Sequence, residues 1–125
     1  MKARNDIQVW WKQASRDFIS ARNSLQSKDY YVCALLCQQV VEKALKYLHL
    51  WKRKELLRIH DLVKLAKEIN APPNILQKCS EISPVYTEVR YPEGNELPAS
   101  KVNKQEAEYI LKLSKEILQW VKKQR

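Results

Sequence analysis

Tyr30-Tyr31-Val32-Cys33-Ala34-Leu35-Leu36-Cys37-Gln38-Gln39-Val40-Val41-Glu42-Lys43-Ala44-Leu45-Lys46-Tyr47-Leu48-His49-Leu50-Trp51 is the most apolar stretch of the chain. Tyr31, Ala34, Leu35, Gln38, Val41, Leu45 and Leu48 follow the helical period, so the spacing predicts one long helix with a wide apolar face. Gln38 and Glu42 fall on or near that face. A polar group there must find partners or cost free energy, and an interhelical hydrogen bond that fixes packing is the expected answer.

The same period extends outward on both sides. Upstream, from about Asp6 to Ser27, Trp11, Ala14, Phe18, Ala21 and Leu25 share a face with Lys and Arg between them. Ser27, Lys28 and Asp29 break this helix and can cap the next. Downstream, Lys52, Arg53, Lys54 and Arg58 form a basic loop or frayed helix end. Asp61 then caps a short helix carrying Leu62, Leu65, Ala66 and Ile69. Asn70, Pro72 and Pro73 end it and start another. Ile75, Cys79, Ile82, Tyr86 and Val89 form the fourth segment, which Pro84 should kink or split. Arg90-Tyr91-Pro92 closes it, because proline disfavours helical geometry at the residue before it. An exposed loop runs from Pro92 to Val102. Asn103 and Glu106 then resemble a capping box before a last helix striped with Ala107, Ile110, Leu111, Ile117, Leu118 and Val121.

The expected fold is all-α, an up-and-down bundle of four long helices plus a short one. Connections are short, which favours antiparallel neighbours. Residues 1–125 read as one domain, long enough to bury a core without disulfides or metal. A single glycine leaves little room for tight hairpins and argues against an all-β fold.

Cys33, Cys37 and Cys79 make an odd count with no paired spacing. That does not suit a secreted disulfide framework. Cys33 and Cys37 lie one helical turn apart, but no His or further Cys stands beside them at ligand spacing, so neither a metal nor another cofactor is expected. The Met1–Trp10 segment has no long apolar run of the kind a signal peptide needs, no stretch reaches the length of a membrane span, and the cytoplasm is the expected location. The abundance of Lys, Glu and Ile would suit a thermophile. Phosphate loops, paired catalytic carboxylates and nucleophile triads are absent, which argues against a self-contained nucleotidyltransferase.

The formal net charge is +9, from 23 Lys and Arg against 14 Asp and Glu. Such a surface draws polyanions such as RNA, nucleotides or an acidic partner; it is equally the solvated exterior of a Lys-rich bundle. Adjacent Trp10 and Trp11 cannot share one helix face, so one of them is expected to meet a partner chain.

Four motifs in order carry a family resemblance. The run Gln38-Gln39-Val40-Val41-Glu42-Lys43-Ala44-Leu45-Lys46 is similar to the second-helix signature of HEPN domains, named for higher eukaryotes, prokaryotes and nucleotide binding. His60-Asp61-Leu62 resembles the family's next motif. Ser83-Pro84-Val85-Tyr86-Thr87-Glu88-Val89-Arg90-Tyr91-Pro92 resembles the third, with its Arg-Tyr-Pro ending. Trp11, Ala14, Asp17 and Ala21 match the pattern of the first helix. The resemblance implies a helical bundle that homodimerises. It also implies pairing with a separately encoded minimal nucleotidyltransferase in a toxin-antitoxin-like module. Other branches of the family are metal-independent endoribonucleases, marked by an Arg, four to six residues and a His in the second half of the domain, with paired sites that meet across the dimer. This sequence departs from that pattern. The only histidines are His49 and His60, and none follows Arg90. Arg53 and His60 match the spacing literally but lie between the second and third helices.

Arg90, beside a proline-ended turn, is the leading ligand-binding candidate, because guanidinium grips phosphate bidentately. Its structural alternative is a buried pair with Glu42 or another helix carboxylate, and both roles hold if that pair lines a groove. Tyr86 and Tyr91 can stack on a base or donate to phosphate, or can serve as core tyrosines. Lys43 and Lys46 can line the same groove or a solvated face. The expected ligand is a nucleotide or RNA; the plainest alternative is a structural helical dimer without ligand, whose charge only keeps it soluble. For a ribonuclease, His60 would be the base and Arg90 the cation, with Tyr91 a third catalytic candidate. The structural alternative for His60 is a hydrogen bond to neighbouring backbone at the start of a helix.

Overall fold

In a computed structural model that describes residues 4–125, α2 (Tyr30–Arg53) is the spine. Its residues 44–50 are all buried, the polar Lys46 and His49 included, because other elements enclose this stretch on every side. α1 (Arg4–Gln26) and α6 (Lys104–Gln124) pack along it, and α3 (Leu62–Glu68), α4 (Pro73–Ile82) and the one-turn α5 (Val85–Glu88) complete the bundle. No strand forms among the described residues; a 3₁₀ turn covers Pro98–Lys101. Met1, Lys2 and Ala3, the start of the segment read as lacking a signal peptide, lie outside the described residues. No described helix is long and apolar enough to cross a membrane.

The helix boundaries follow local chemistry. α1 ends where Lys28 turns left-handed at φ 68°, with Asp29 N–H donating to the Ser24 carbonyl at 2.8 Å. Asp29 precedes α2 without capping it, and its carboxylate accepts from the Ser27 hydroxyl instead. The basic run expected to fray is helical through Arg53. Lys54, at φ 60° with its N–H on the Leu50 carbonyl, leaves the helix, and Arg58 lies in the loop that follows, as expected of that half of the run. Asp61 caps α3 as expected, accepting from the Val63 and Lys64 amides at 3.0 and 3.2 Å. Asn103 accepts from the Glu106 amide at 2.8 Å to start α6.

Pro84 splits the fourth segment into α4 and α5 because it lacks the N–H that a continuous helix would need. The break is tied down by the Leu62 amide, which donates to the Ser83 hydroxyl. As a consequence, α5 brings Tyr86 against His60.

The core has two parts. The larger gathers Val41, Leu45, Leu48, Leu62, Leu65, Ile82 and Ile117. The smaller gathers Ala21, Cys33, Ala34, Cys37 and Ala107 under Val85 and Val89. Small side chains there let α1, α2 and α6 approach closely, while α5 closes the top. The three cysteines are free and buried, and burial pushes the Cys79 thiol up to about 12. Trp11 leans on Tyr47 with ring centres 5.4 Å apart; Trp10 is also half-buried against the same core. Both tryptophans are therefore partly used within the chain.

Candidate functional site

Glu42 is the hub. Its Oε1 accepts from Gln38 Nε2 at 2.9 Å, and its Oε2 accepts from Lys46 Nζ at 3.0 Å and from His60 Nδ1 at 2.9 Å. Gln38 thus bonds within its own helix rather than between helices; it in turn accepts from Gln39 Nε2 at 2.8 Å. The contact that crosses between elements is His60 to Glu42, eighteen residues apart in sequence. Burial alone would raise the Glu42 pKa. The hydrogen bonds from Gln38, His60 and Lys46, with the charge of Lys46, outweigh it and hold the carboxyl below its ordinary value of 4.5. Glu42 is therefore ionised and can only accept. His60 must donate from Nδ1, which leaves Nε2 unprotonated in the neutral ring.

His60 is not buried by this bond: its side chain is 53% exposed. Its ring stacks on Tyr86 with centroids 4.6 Å apart and planes 17° from parallel. The Arg90 guanidinium carbon also lies 4.6 Å from the centre of the Tyr86 ring. One tyrosine thus joins the two groups that the sequence singled out from different segments. Arg90 is exposed and forms no ion pair among the described residues. It does not pair with Glu42, because Lys46 and His60 occupy that carboxylate.

Beside Arg90 opens a cleft of about 480 Å³, lined by Tyr31, Leu35, Leu36 and Gln39 of α2 and by Val89, Arg90 and Tyr91. Tyr91 is 61% exposed at its rim. The cleft has an apolar floor and one unneutralised cation, a combination that suits a base with its phosphate. A smaller cleft of about 390 Å³ between α1 and α6 contains none of the residues singled out above as ligand-binding candidates.

Glu42, Lys46, His60, Tyr86, Arg90 and Tyr91 therefore form a continuous neighbourhood. Lys46 is buried there, its charge spent on Glu42. Lys43 is not part of it: its ammonium reaches α1 and pairs with Asp17, which also accepts from Gln13 at 2.8 Å. Asp17 as the partner of Lys43 was missed, although its place between Ala14 and Ala21 on the inner stripe was a readable signal. Tyr31 and Leu35 were missed as cleft walls because helical spacing marks them as core, and Leu36 and Gln39 because they lie off that stripe. His49, the other histidine, is buried and holds the Glu55 carbonyl at 2.7 Å, away from this cluster.

No curated protein matches the chain in sequence. Among the solved structures that share the whole fold are the following two. TT1696 from Thermus thermophilus is 28% identical, with a TM-score of 0.89 over 97% of this chain and 99% of that one. ST0689, described as an archaeal HEPN homologue, is 32% identical, with a TM-score of 0.84 over 99% of this chain and 98% of that one. The sequence profile of the HEPN domain matches residues 7–124. That match reaches into all six helices and covers every motif that suggested the kinship, and the chain belongs to the HEPN domain family.

Proposed function

We propose that the protein is a nucleotide- or RNA-binding interaction module whose ligand sits in the cleft beside Arg90. One observation carries this reading: an exposed guanidinium without a carboxylate partner is held against the Tyr86 ring at the mouth of an apolar cleft. Holding the side chain there lowers the entropy cost of gripping a phosphate, and Tyr91 at the rim supplies a ring for a base. The net charge of +9 supports an anionic ligand. Family membership supports homodimerisation, a separately encoded nucleotidyltransferase partner and work in the cytoplasm, as the helical half of a toxin-antitoxin-like pair.

A second reading, a metal-independent ribonuclease, draws on the free Nε2 of His60 and its position on the same ring as Arg90. In that reaction His60 would take the 2′-hydroxyl proton while Arg90 steadied the charge building on phosphorus.

One experiment separates the two. End-labelled RNA is incubated with the protein in EDTA, beside the variants Arg90→Ala and His60→Ala. Retention without cleavage, weakened roughly tenfold or more by Arg90→Ala, is the expected result, since a charge-assisted bidentate contact contributes about 1.5–3 kcal/mol. The melting temperature of Arg90→Ala should stay within about 2 °C of the native value, because the side chain is exposed. Cleavage that disappears in both variants would establish the ribonuclease instead. Unchanged retention by Arg90→Ala would remove the cleft from the account.

A further inference from the structure

Far from Arg90, the end of the bundle where α1 begins and α2 and α6 finish is strongly basic. Lys52 and Arg53 occupy the last turn of α2, and Lys54 follows them. Lys122 and Lys123 occupy the last turn of α6, and Arg125 follows. Arg4 opens α1. Against these seven cations stand two carboxylates, Asp6 and Glu55. None of the seven forms an ion pair among the described residues; all four pairs lie elsewhere.

Three of these cations rest on aromatic rings. Trp11, Tyr47 and Trp51 form a row, with successive ring centres 5.4 and 6.4 Å apart. Arg4 and Lys54 lie 5.9 and 5.7 Å from the centre of Trp51, and Arg125 lies 5.2 Å from that of Trp11. Cations in the last turns of α2 and α6 complement the negative ends of those helices. That does not account for Arg4, which adds positive charge at a helix start, where the dipole opposes it.

We propose that this basic, aromatic-studded end is a second RNA-contacting surface, one that grips the phosphate backbone of a single strand. Tyr47 is completely buried, and the partly exposed Trp11 and Trp51 hold Arg4, Lys54 and Arg125 in place, so the rings fix the cations where a phosphate backbone can reach them. A phosphate backbone carries a charge at every nucleotide, a density that an acidic protein segment rarely sustains across seven cations set against two carboxylates. The surface shares its ligand class with the Arg90 cleft but none of its residues, so the two readings fail separately.

The test uses fluorescence anisotropy with a labelled oligouridylate of about 20 nucleotides. In one variant Lys52, Arg53, Lys122 and Lys123, which touch no ring, become alanine. In a control of equal charge change, Lys28, Lys64, Lys67 and Lys104 become alanine; all four lie elsewhere on the surface. The first variant should bind at least tenfold more weakly at low salt. Its slope of log affinity against log salt should fall by about 3, at roughly 0.7 per lost phosphate contact on a single strand. The control should lose less than threefold, and Arg90→Ala should change the slope by no more than about one contact. Equal losses in both lysine variants would mean that net charge alone is sensed, and would overturn the proposal. So would an unchanged slope in the first variant, or full displacement of the oligouridylate by polyglutamate of matched charge.

Discussion

Glu42→Ala should cost about 3 kcal/mol of folding stability, read as a lower urea midpoint with an unchanged slope. The reason is what the carboxylate leaves behind. Lys46 is 8% exposed in its side chain and has Glu42 as its only ion-pair partner among the described residues. Gln38 is fully buried and loses its acceptor. Breaking one side of a buried pair leaves an uncompensated charge, which costs more than the pair itself contributes. Glu42→Gln keeps an acceptor oxygen and the packing volume, so about half that loss is expected. The pH dependence carries a sign. Because the folded carboxyl titrates below 4.5, the unfolded chain binds its proton first as the pH drops. The stability that ionised Glu42 contributes is complete above 4.5 and fades as the pH falls through the lower folded value. The gap between native protein and Glu42→Gln should therefore close in acid and stay constant at neutral pH.

Tyr47→Ala should cost more, about 4 kcal/mol by the same denaturation measurement. Tyr47 is completely buried and touches Trp11 of α1, Trp51 of its own helix and Arg125 beyond α6. Its ring thus joins the three longest helices at one end of the bundle, and no neighbour can collapse into the space without moving a helix. Tyr47→Phe keeps the ring and loses only the hydroxyl that accepts from Arg125 at 3.0 Å, so a loss of about 1 kcal/mol is expected. A Tyr47→Ala loss no larger than that of Tyr47→Phe would mean that this end of the bundle packs differently.

The fold was legible because its evidence is local and repeated. α2 advertises itself through an apolar face repeated at helical spacing from Tyr31 to Leu48, and Asp61 and Asn103 mark helix starts by chemistry acting within three residues. Pro84 marked the break in the fourth segment because a missing N–H acts where it stands. The fraying expected at Lys52 and Arg53 did not occur: positive charge suits a helix C-terminus, and an αL residue at Lys54 could postpone the stop.

The site was legible only as a set of residues. Glu42, His60, Tyr86 and Arg90 could each be picked out, but their pairing depends on the loop before α3 and the turn at Pro84, neither of which has a period. Arg90 had Glu42 as its natural carboxylate until His60 and Lys46 were seen to fill it. Lys43 lies one residue from Glu42, and a rotation of about 100° around the helix sends it to Asp17 on another helix instead.

Photo-crosslinking of a 4-thiouridine oligonucleotide, followed by peptide mapping, tests the proposed ligand site most directly. The account predicts adducts on the segments Cys79–Arg90 and Tyr91–Lys101, at Tyr86 or Tyr91, and their loss in Arg90→Ala. Adducts confined to other parts of the chain, with none between residues 79 and 101, would contradict it.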